Sequence, residues 1–390
     1  MTKKSLLFVN GHLNTGGIEK SLVDLLAVID YERYDVDLLL FNGLGDYYDL
    51  VPKEVRVISV DVRHAYGVFW GTLINNLKRG AYSLVYYRFI SLLSRLIGDR
   101  VYALLRPILH IRSSYYCAIA YRTGFCASIV AYSVRAKKKY CWWHNGHVVF
   151  TKSTIRNTAK IWNHYSGIVA VSYGCKRKLV QHFPKLADKI YVMYNVLNGP
   201  LIHKKSDPQP EEYASSLFNI VSVGRLSPIK HFDNIVYVAS ALSQRVSGFK
   251  WFIIGDGPEK DNLRTLIEME GLSDRVILLG KRINPYPYIK YADFLVHTSY
   301  YEAHCTTILE AMALKTPCVV TRTVIPQDYI KDGENCIEVE RNPQALYEGV
   351  IEMINNPDKA VQMAEYAYGK VVSDYSPEVI SGSFYSIIEQ

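Results

Sequence analysis

Acidic residues are almost missing from one long stretch of this chain: positions 62 to 187 hold one, Asp99, against 20 lysines and arginines. A solvated basic face accounts for some of those cations but not for so long a run. A basic half meets phosphates, whether on nucleic acid, anionic lipid or a phosphorylated small molecule. Paired cysteines are also missing. The seven cysteines (Cys117, Cys126, Cys141, Cys175, Cys305, Cys318 and Cys336) are scattered and form no Cys-x-x-Cys. They read as buried thiols of a reducing compartment, not as a disulfide framework or a zinc site. The opening segment is basic, but its apolar run of Leu6, Leu7, Phe8 and Val9 is too short for a signal peptide and reads as a first strand, which points to the cytosol. Fixed-period repeats and low-complexity tracts are absent as well.

What remains is ordinary globular material. The chain has 390 residues, 49% of them apolar, with mean hydropathy −0.01, which excludes a largely disordered, collagenous or polytopic membrane chain. Its length favours two domains. Residues 1–200 carry 27 basic and 12 acidic side chains, net +15; residues 201–390 carry 18 and 25, net −7. The changeover falls in 198–216, where Gly199, Pro200, Pro208 and Pro210 among polar residues suit an exposed linker. The expected division is 1–200, 201–375 and a terminal helical segment, 376–390.

Short apolar runs alternate with helical patterns. Strands are expected at 6–10, 36–41, 55–60, 117–120, 139–143, 168–171 and 190–194, then at 220–223, 251–254, 276–279, 294–297 and 318–321. Strands apolar on both faces and separated by helices mark parallel sheets covered on both sides. The fold class is α/β, two doubly wound domains whose ligands bind at the carboxyl ends of the strands, in the cleft that the domains face.

Three loops carry chemistry. The first, Asn10 to Lys20, holds Gly16 and Gly17 at a helix start, where backbone N–H groups approach a phosphate and the helix dipole favours an anion. It is neither a Walker A nor a Rossmann glycine pattern. In the second, Val-Gly224-Arg225-Leu-Ser-Pro-Ile-Lys230, Arg225 and Lys230 are placed to clamp a diphosphate, or else are two surface cations. The third runs from His297 to Ala313. There Glu302 follows a strand and Glu310 lies inside the next helix, placed to grip hydroxyls on either side of a phosphate held by the backbone of His304, Cys305, Thr306 and Thr307, or else the stretch is a capped helix whose Glu310 is only solvated. No Asp-x-Asp metal ligand is evident.

Glu302 and Glu310 with the following Ala-Met-Ala-Leu-Lys-Thr-Pro-Cys-Val-Val-Thr, the Val-Gly-Arg-Leu-x3-Lys loop, Ile-Gly-Asp-Gly-Pro-Glu at 254–259 and Asp-Gly-Glu-Asn at 332–335 match in order and spacing one known pattern. It resembles glycosyltransferase family 4, retaining enzymes of the GT-B fold. Within the family, Gly-Gly-Ile-Glu-Lys and the run from Ala136 to His144 are similar to bacterial enzymes of capsule and lipopolysaccharide assembly. The resemblance covers the second half almost throughout and the first mainly at Gly16-Gly17 and His144. It implies Arg225 and Lys230 on the donor diphosphate with Gly16, Gly17 and Gly224 close by, Glu302 on the transferred sugar, Glu310 on the ribose, and His144 beside the sugar. His12, after the first strand, is the rival histidine, as in inverting GT-B enzymes. Two departures stand out: Ala303-His304-Cys305 replaces a common Gly-Phe-Gly, which bears on the sugar pocket, and Lys315 replaces a frequent glycine.

The expected activity is transfer of a hexose from a nucleotide diphosphate sugar, UDP-linked in preference to GDP-linked, to a glycan or lipid-linked glycan, with cation side chains in place of a metal and no cofactor. The alternatives are a non-catalytic sugar-nucleotide binder and a basic nucleic-acid-binding protein. From 84 to 111 the chain is rich in Leu, Ile, Val and Tyr. Read as one helix, it sets Arg88, Arg95 and Arg106 within about 20° of each other, which suits an interfacial helix meeting lipid phosphates on the inner face of the cell membrane. The other reading is a core helix with one solvated stripe.

Overall fold

The computed structural model describes residues 2–65, 69–146, 150–214, 216–246, 248–325 and 327–390. The chain forms two units: Met1–His144 with Val148–Tyr194 and Ser381–Gln390, and Asn145–His147 with Asn195–Ile380.

The first unit is built on β1 (Lys4–Asn10), β2 (Tyr34–Leu40), β3 (Arg56–Ser59), β4 (Tyr115–Ala120), β5 (Ala136–Trp143), β6 (Gly167–Ala170) and β7 (Ile190–Val192). They pair in parallel in the order β3-β2-β1-β4-β5-β6-β7. Leu6 sits between Val36 and Cys117 in register, and Leu6 to Val9 are fully buried, as a strand covered by helices on both faces requires. The second unit repeats the plan with β8 (Phe218–Val223), β9 (Phe249–Ile254), β10 (Val276–Gly280), β11 (Phe294–His297), β12 (Cys318–Thr321) and β13 (Ile337–Val339), in the order β10-β9-β8-β11-β12-β13. In each sheet the strand order reverses once, between β1 and β4 and between β8 and β11. Such reversals open a crevice at the strands' carboxyl ends, where ligands of this architecture bind. Every expected strand is present; β13 is the one that went unexpected, three residues with a charged Glu338 at its centre. All seven cysteines are buried and none is disulfide-bonded.

The segment expected as a linker is packed instead. Asn198 caps a helix at Gly199–Lys204, accepting from Leu201 N at 3.1 Å, and Pro200 sits in its first turn, where no N–H is needed. Ile202, Ser206 and Tyr213 are buried, and the Tyr213 hydroxyl donates to Tyr288 O at 2.6 Å. Gly and Pro here mark a helix start rather than loose chain.

The basic stretch also departs from expectation, because many of its cations serve the fold. Arg106 donates to Ser133 O at 2.9 Å and to Ser113 O at 2.5 Å, and Arg88 donates to Ala65 O. Lys139 donates to Ala131 O at 2.8 Å, and burial pushes its pKa down to about 8, with nearby Arg106 acting in the same direction. The expected 84–111 helix is two: an α-helix at Tyr82–Ile97 ends at Gly98 (φ 91), and a 3-10 segment follows at Asp99–Ile108. Arg88, Arg95 and Arg106 therefore share no single helix face. The exposed feature is apolar. Tyr82, Phe89 and Leu96, seven residues apart, are 69%, 61% and 75% exposed, while Tyr87 and Ile90 form the helix's buried face.

Asp35-Val36-Asp37 on β2 is an Asp-x-Asp sequence outside the motif loops. Arginine holds it: Arg112 reaches Asp35 (3.3 Å) and Asp37 (3.2 Å), and the buried Asp37 also accepts from Arg56 Nε (2.9 Å) and the Tyr115 hydroxyl (2.6 Å). Burial opposes the Asp37 charge, but the hydrogen bonds from Arg56, Tyr115 and Arg112 outweigh it and hold the carboxyl below its ordinary range. A depressed carboxylate stabilises the fold above its unfolded pKa and loses that contribution as pH falls through the folded one. Asp37→Asn therefore costs about 2 kcal/mol at pH 7, and the gap from wild type closes below pH 4. Urea unfolding at both pH values reads this; an equal deficit at pH 3 contradicts it.

Ser381–Gln390 belongs to the first unit. Phe384 stacks on Phe8 (6.1 Å between centroids) and Tyr385 on Tyr34 (5.5 Å). Glu389 takes Lys4 at 3.0 Å and Arg33 at 2.8 Å, and the hydrogen bonds from Tyr34 and Lys4 bring its pKa down to about 2.

Candidate functional site

The loop after β8 is held by neighbouring backbone. Gly224 N donates to Ile254 O and Leu226 N to Asp256 O, both at 3.0 Å. A Cβ on Gly255 would lie 1.8 Å from Gly224 O, and one on Gly257 2.1 Å from Leu226 O. The Ile-Gly-Asp-Gly-Pro-Glu motif is thus the floor on which the Arg225 loop rests, and no side chain fits between them. A short turn at Pro228–Lys230 follows and ends at His231 in left-handed conformation (φ 48). The Thr298 hydroxyl donates to Lys230 O at 2.6 Å, and Tyr300 N to Ile229 O at 3.2 Å. Because β8 and β11 are neighbours, these bonds join the loops that leave their carboxyl ends.

That join brings two expected residues together. Lys230 donates to Glu302 Oε1, and His297, the last residue of β11, approaches the same oxygen with Nε2 at 2.9 Å. The Lys230 and Glu302 side chains are 19% and 12% exposed. Burial opposes the charge on Glu302, but Lys230 and then His297 outweigh it and keep the group ionised well below the usual carboxylate range. Burial likewise opposes the Lys230 charge, and Glu302 raises its pKa in spite of it. His297 is pushed up to about 9, burial being overcome by the facing Cys305 sulfur and Glu302 carboxylate. The centre is an anion flanked by two cations, one carboxylate oxygen receiving both.

The helix Thr306–Ala313 starts beside it. Cys305 is its N-cap with no side-chain bond to the first turn, so the helix presents backbone donors with a favourable dipole. Gln327 steadies the approach, accepting from Cys305 N at 3.3 Å and donating to Glu302 O at 3.4 Å. In the same helix, Glu310 accepts from the Tyr286 hydroxyl at 3.2 Å.

Ala303, His304 and Cys305, which stand where the resemblance has Gly-Phe-Gly, are all buried. The His304 ring lies 5.6 Å from Tyr329 and 5.7 Å from Tyr375, where a phenylalanine would sit. Burial drives its pKa down to about 3 and keeps it neutral; Nδ1 accepts from Asn195 Nδ2 at 3.3 Å, which sets the tautomer. His304 is an aromatic filler of the core here, and Cys305 is buried too. Cys305 faces His297, its sulfur 3.4 Å from Nε2.

The remaining expected residues have other neighbours. Arg225 is exposed, on the rim of the same loop. Gly16, Gly17 and His144 belong to the first unit. Gly16 precedes the helix Gly17–Leu26, and a Cβ there would lie 2.5 Å from Glu19 Oε2; Glu19 is balanced by Arg122 at 2.9 Å. His144 follows β5 with its ring 4.7 Å from Tyr121. His12 Nδ1 accepts from Asn14 N at 3.2 Å. Sequence reasoning missed His297, Gln327 and Tyr286. The one available signal was that His297 ends a strand directly before the Glu302 loop.

Two doubly wound parallel-sheet units, the second with its cation–carboxylate pair at the strand reversal, define a protein of the GT-B architecture. Residues 204–370, within the second unit, match the family model Glycosyl transferases group 1. The whole chain resembles HepE of Anabaena, solved with UDP and glucose, at a TM-score of 0.77 over 99% of this chain and 100% of that one, with 19% identity. The lipopolysaccharide core biosynthesis glycosyltransferase LpsE of Rhizobium meliloti is 28% identical over 43% of this chain and 49% of its own length. The match thus spans about half of that relative. A longer alignment, 24% identical over 88% of each chain, is with the N-acetylgalactosamine-N,N'-diacetylbacillosaminyl-diphospho-undecaprenol 4-alpha-N-acetylgalactosaminyltransferase of Campylobacter jejuni.

Proposed function

We propose that this chain is a retaining glycosyltransferase that moves a hexose from a UDP-linked sugar to a glycan or lipid-linked glycan in cell-surface polysaccharide synthesis. The observation that carries the proposal is the Lys230–Glu302 pair beside the uncapped start of the Thr306–Ala313 helix. The UDP and glucose held by the Anabaena neighbour, and the alpha linkage and diphospho-undecaprenol acceptor in the Campylobacter relative's name, support the donor, stereochemistry and acceptor chosen.

Transfer breaks the bond from the sugar's anomeric carbon to the phosphate oxygen, and the electron pair leaves with the diphosphate. Arg225, Lys230 and the helix N–H groups stabilise that charge without a metal or cofactor. Glu302, held ionised, accepts from sugar hydroxyls; Glu310, steadied by Tyr286, accepts from the ribose. The acceptor hydroxyl attacks the same face, and its proton passes to the departing phosphate. His144 keeps the place beside the sugar that the family resemblance implies. A panel of sugar nucleotides tests this: one UDP-hexose raises the melting temperature and is slowly hydrolysed with retained anomeric configuration. If no sugar nucleotide shifts the melt or is turned over, the proposal is wrong.

A peripheral place on the inner membrane face is part of the same reading, with no helix among the described residues long and apolar enough to cross a membrane. The surface suited to it is the stripe of Tyr82, Phe89 and Leu96, with exposed Arg79, Arg95 and Arg100 around it for lipid phosphates. Each inserted apolar side chain contributes about 2 kcal/mol. The protein is expected to sediment with anionic vesicles at low salt, and Phe89→Ser with Leu96→Ser to release it. Wild-type protein that stays in the supernatant at low salt refutes the placement.

A further inference from the structure

The thiol, imidazole and carboxylate at the base of this site are arranged for a second chemistry. His297 Nε2 lies 2.9 Å from Glu302 Oε1 and 3.4 Å from Cys305 Sγ, and the three atoms fall within 4.8 Å of one another. A nucleophilic triad would set the thiol and the carboxylate on opposite ring nitrogens, so that one orients the base for the other. Here the carboxylate and the thiol both stand nearest Nε2, the sulfur at 3.4 Å from it and 3.9 Å from Nδ1, which makes no relay. Three donors converging on one point are what a cation needs. In a tetrahedral zinc site, with Zn–S near 2.3 Å and Zn–N and Zn–O near 2.0–2.1 Å, neighbouring donors stand about 3.3–3.6 Å apart. The two distances from Nε2 require shifts of a few tenths of an ångström, whereas the sulfur and the carboxylate oxygen, within 4.8 Å of each other, close by up to about 1.2 Å through rotation of the Cys305 side chain.

We infer that His297, Glu302 and Cys305 form an inhibitory site for a soft divalent cation of the zinc type. The ligand set is one imidazole, one carboxylate and one thiolate, and the imidazole and thiolate favour zinc over magnesium or calcium. Three protein ligands leave a fourth position for water. His297 and Cys305 are buried, so the ion enters past Glu302, from the side that Lys230 occupies. Binding sends the Cys305 and Nε2 protons to solvent and displaces the Lys230 ammonium, since both cations want the same carboxylate oxygen. The consequence for activity rests on the proposed function: with Glu302 ligated and Lys230 displaced, the sugar and diphosphate lose their partners.

Cobalt(II) replaces zinc as a visible probe, read without reference to activity. Wild-type protein takes up one equivalent, with the strong visible bands of a tetrahedral ion and a thiolate-to-metal band in the near ultraviolet. Cys305→Ser loses the thiolate band, His297→Ala weakens binding at least tenfold, and Lys230→Ala, freed of the competing ammonium, binds at least tenfold more tightly. X-ray absorption on the zinc-loaded wild type, which needs no variant, shows one sulfur and two or more nitrogen or oxygen neighbours. Where turnover is measured, zinc abolishes it and a chelator restores it. Absence of a thiolate–cobalt band in both wild type and Lys230→Ala overturns the site, as does a band that survives both ligand substitutions. Metal binding as described with no sugar-nucleotide turnover under any condition keeps the site and discards the transferase reading.

Discussion

Lys230→Ala is expected to lower sugar transfer about 10²–10³-fold in a protein that still folds, the loss typical of removing one preorganised group from a developing charge. The side chain acts twice. Its ammonium holds Glu302 Oε1 in place, and its charge stands where the leaving diphosphate accumulates electrons. A charged hydrogen bond of this kind contributes about 1.5–3 kcal/mol, and the loss of both roles puts the effect at the upper end. Arg225→Ala isolates one role. Arg225 is exposed and anchors nothing in the described site, so its removal falls on the donor alone and leaves the melting temperature where it was. Lys230→Ala lowers the melting temperature as well, because Glu302 remains ionised and largely buried with one partner fewer. Steady-state rates and thermal melts on both variants decide the matter. Near-normal rates in both would end the assignment of this loop to the leaving group.

The second large effect separates the two carboxylates. Glu302→Gln slows transfer by about 10²-fold or more, and leaves the affinity for free UDP within about twofold, because its proposed partner is the sugar. Glu310→Gln does the reverse: free UDP binds about tenfold more weakly, a change of roughly 1.4 kcal/mol, since the ribose hydroxyls lose a charged acceptor. The geometry makes the contrast sharper than the spacing alone. Glu302 is tied to two cations at the strand reversal, whereas Glu310 sits inside the helix with a neutral phenol against it. Tyr286→Phe accordingly reproduces a weaker version of the Glu310 defect. Calorimetry with UDP, run beside transfer assays, distinguishes the two; equal losses of UDP affinity in Glu302→Gln and Glu310→Gln contradict the division of labour.

Much of the fold was legible because its signals are local. A parallel strand buried on both faces is written as a continuous apolar run, and Leu6 to Val9 or Trp251 to Ile254 need no distant information to be read. Glycine misled at one point and informed at another. Gly199-Pro200 resembled loose chain and proved to be a helix start, while Gly255 and Gly257 earned their place through a backbone contact some thirty positions away. The basic stretch was visible as composition, but composition is silent on direction. Arg106 and Lys139 turn inward to carbonyls of the fold, and the helix that was to align three arginines breaks at Gly98.

By itself, then, the amino-acid sequence determined the strand and helix alternation, the two-unit plan and the loops that carry Arg225, Lys230, Glu302 and Glu310, since each depends on residues within a few positions of one another. The tertiary structure alone decided which of those groups meet. Lys230 reaches Glu302 because β8 and β11 are neighbours in the sheet although 70 residues of chain separate them. His297 joins them because a strand four residues long ends where that carboxylate begins. Sheet order sets these distances, and the pairing of charges follows distance through space, which periodicity along the chain does not encode.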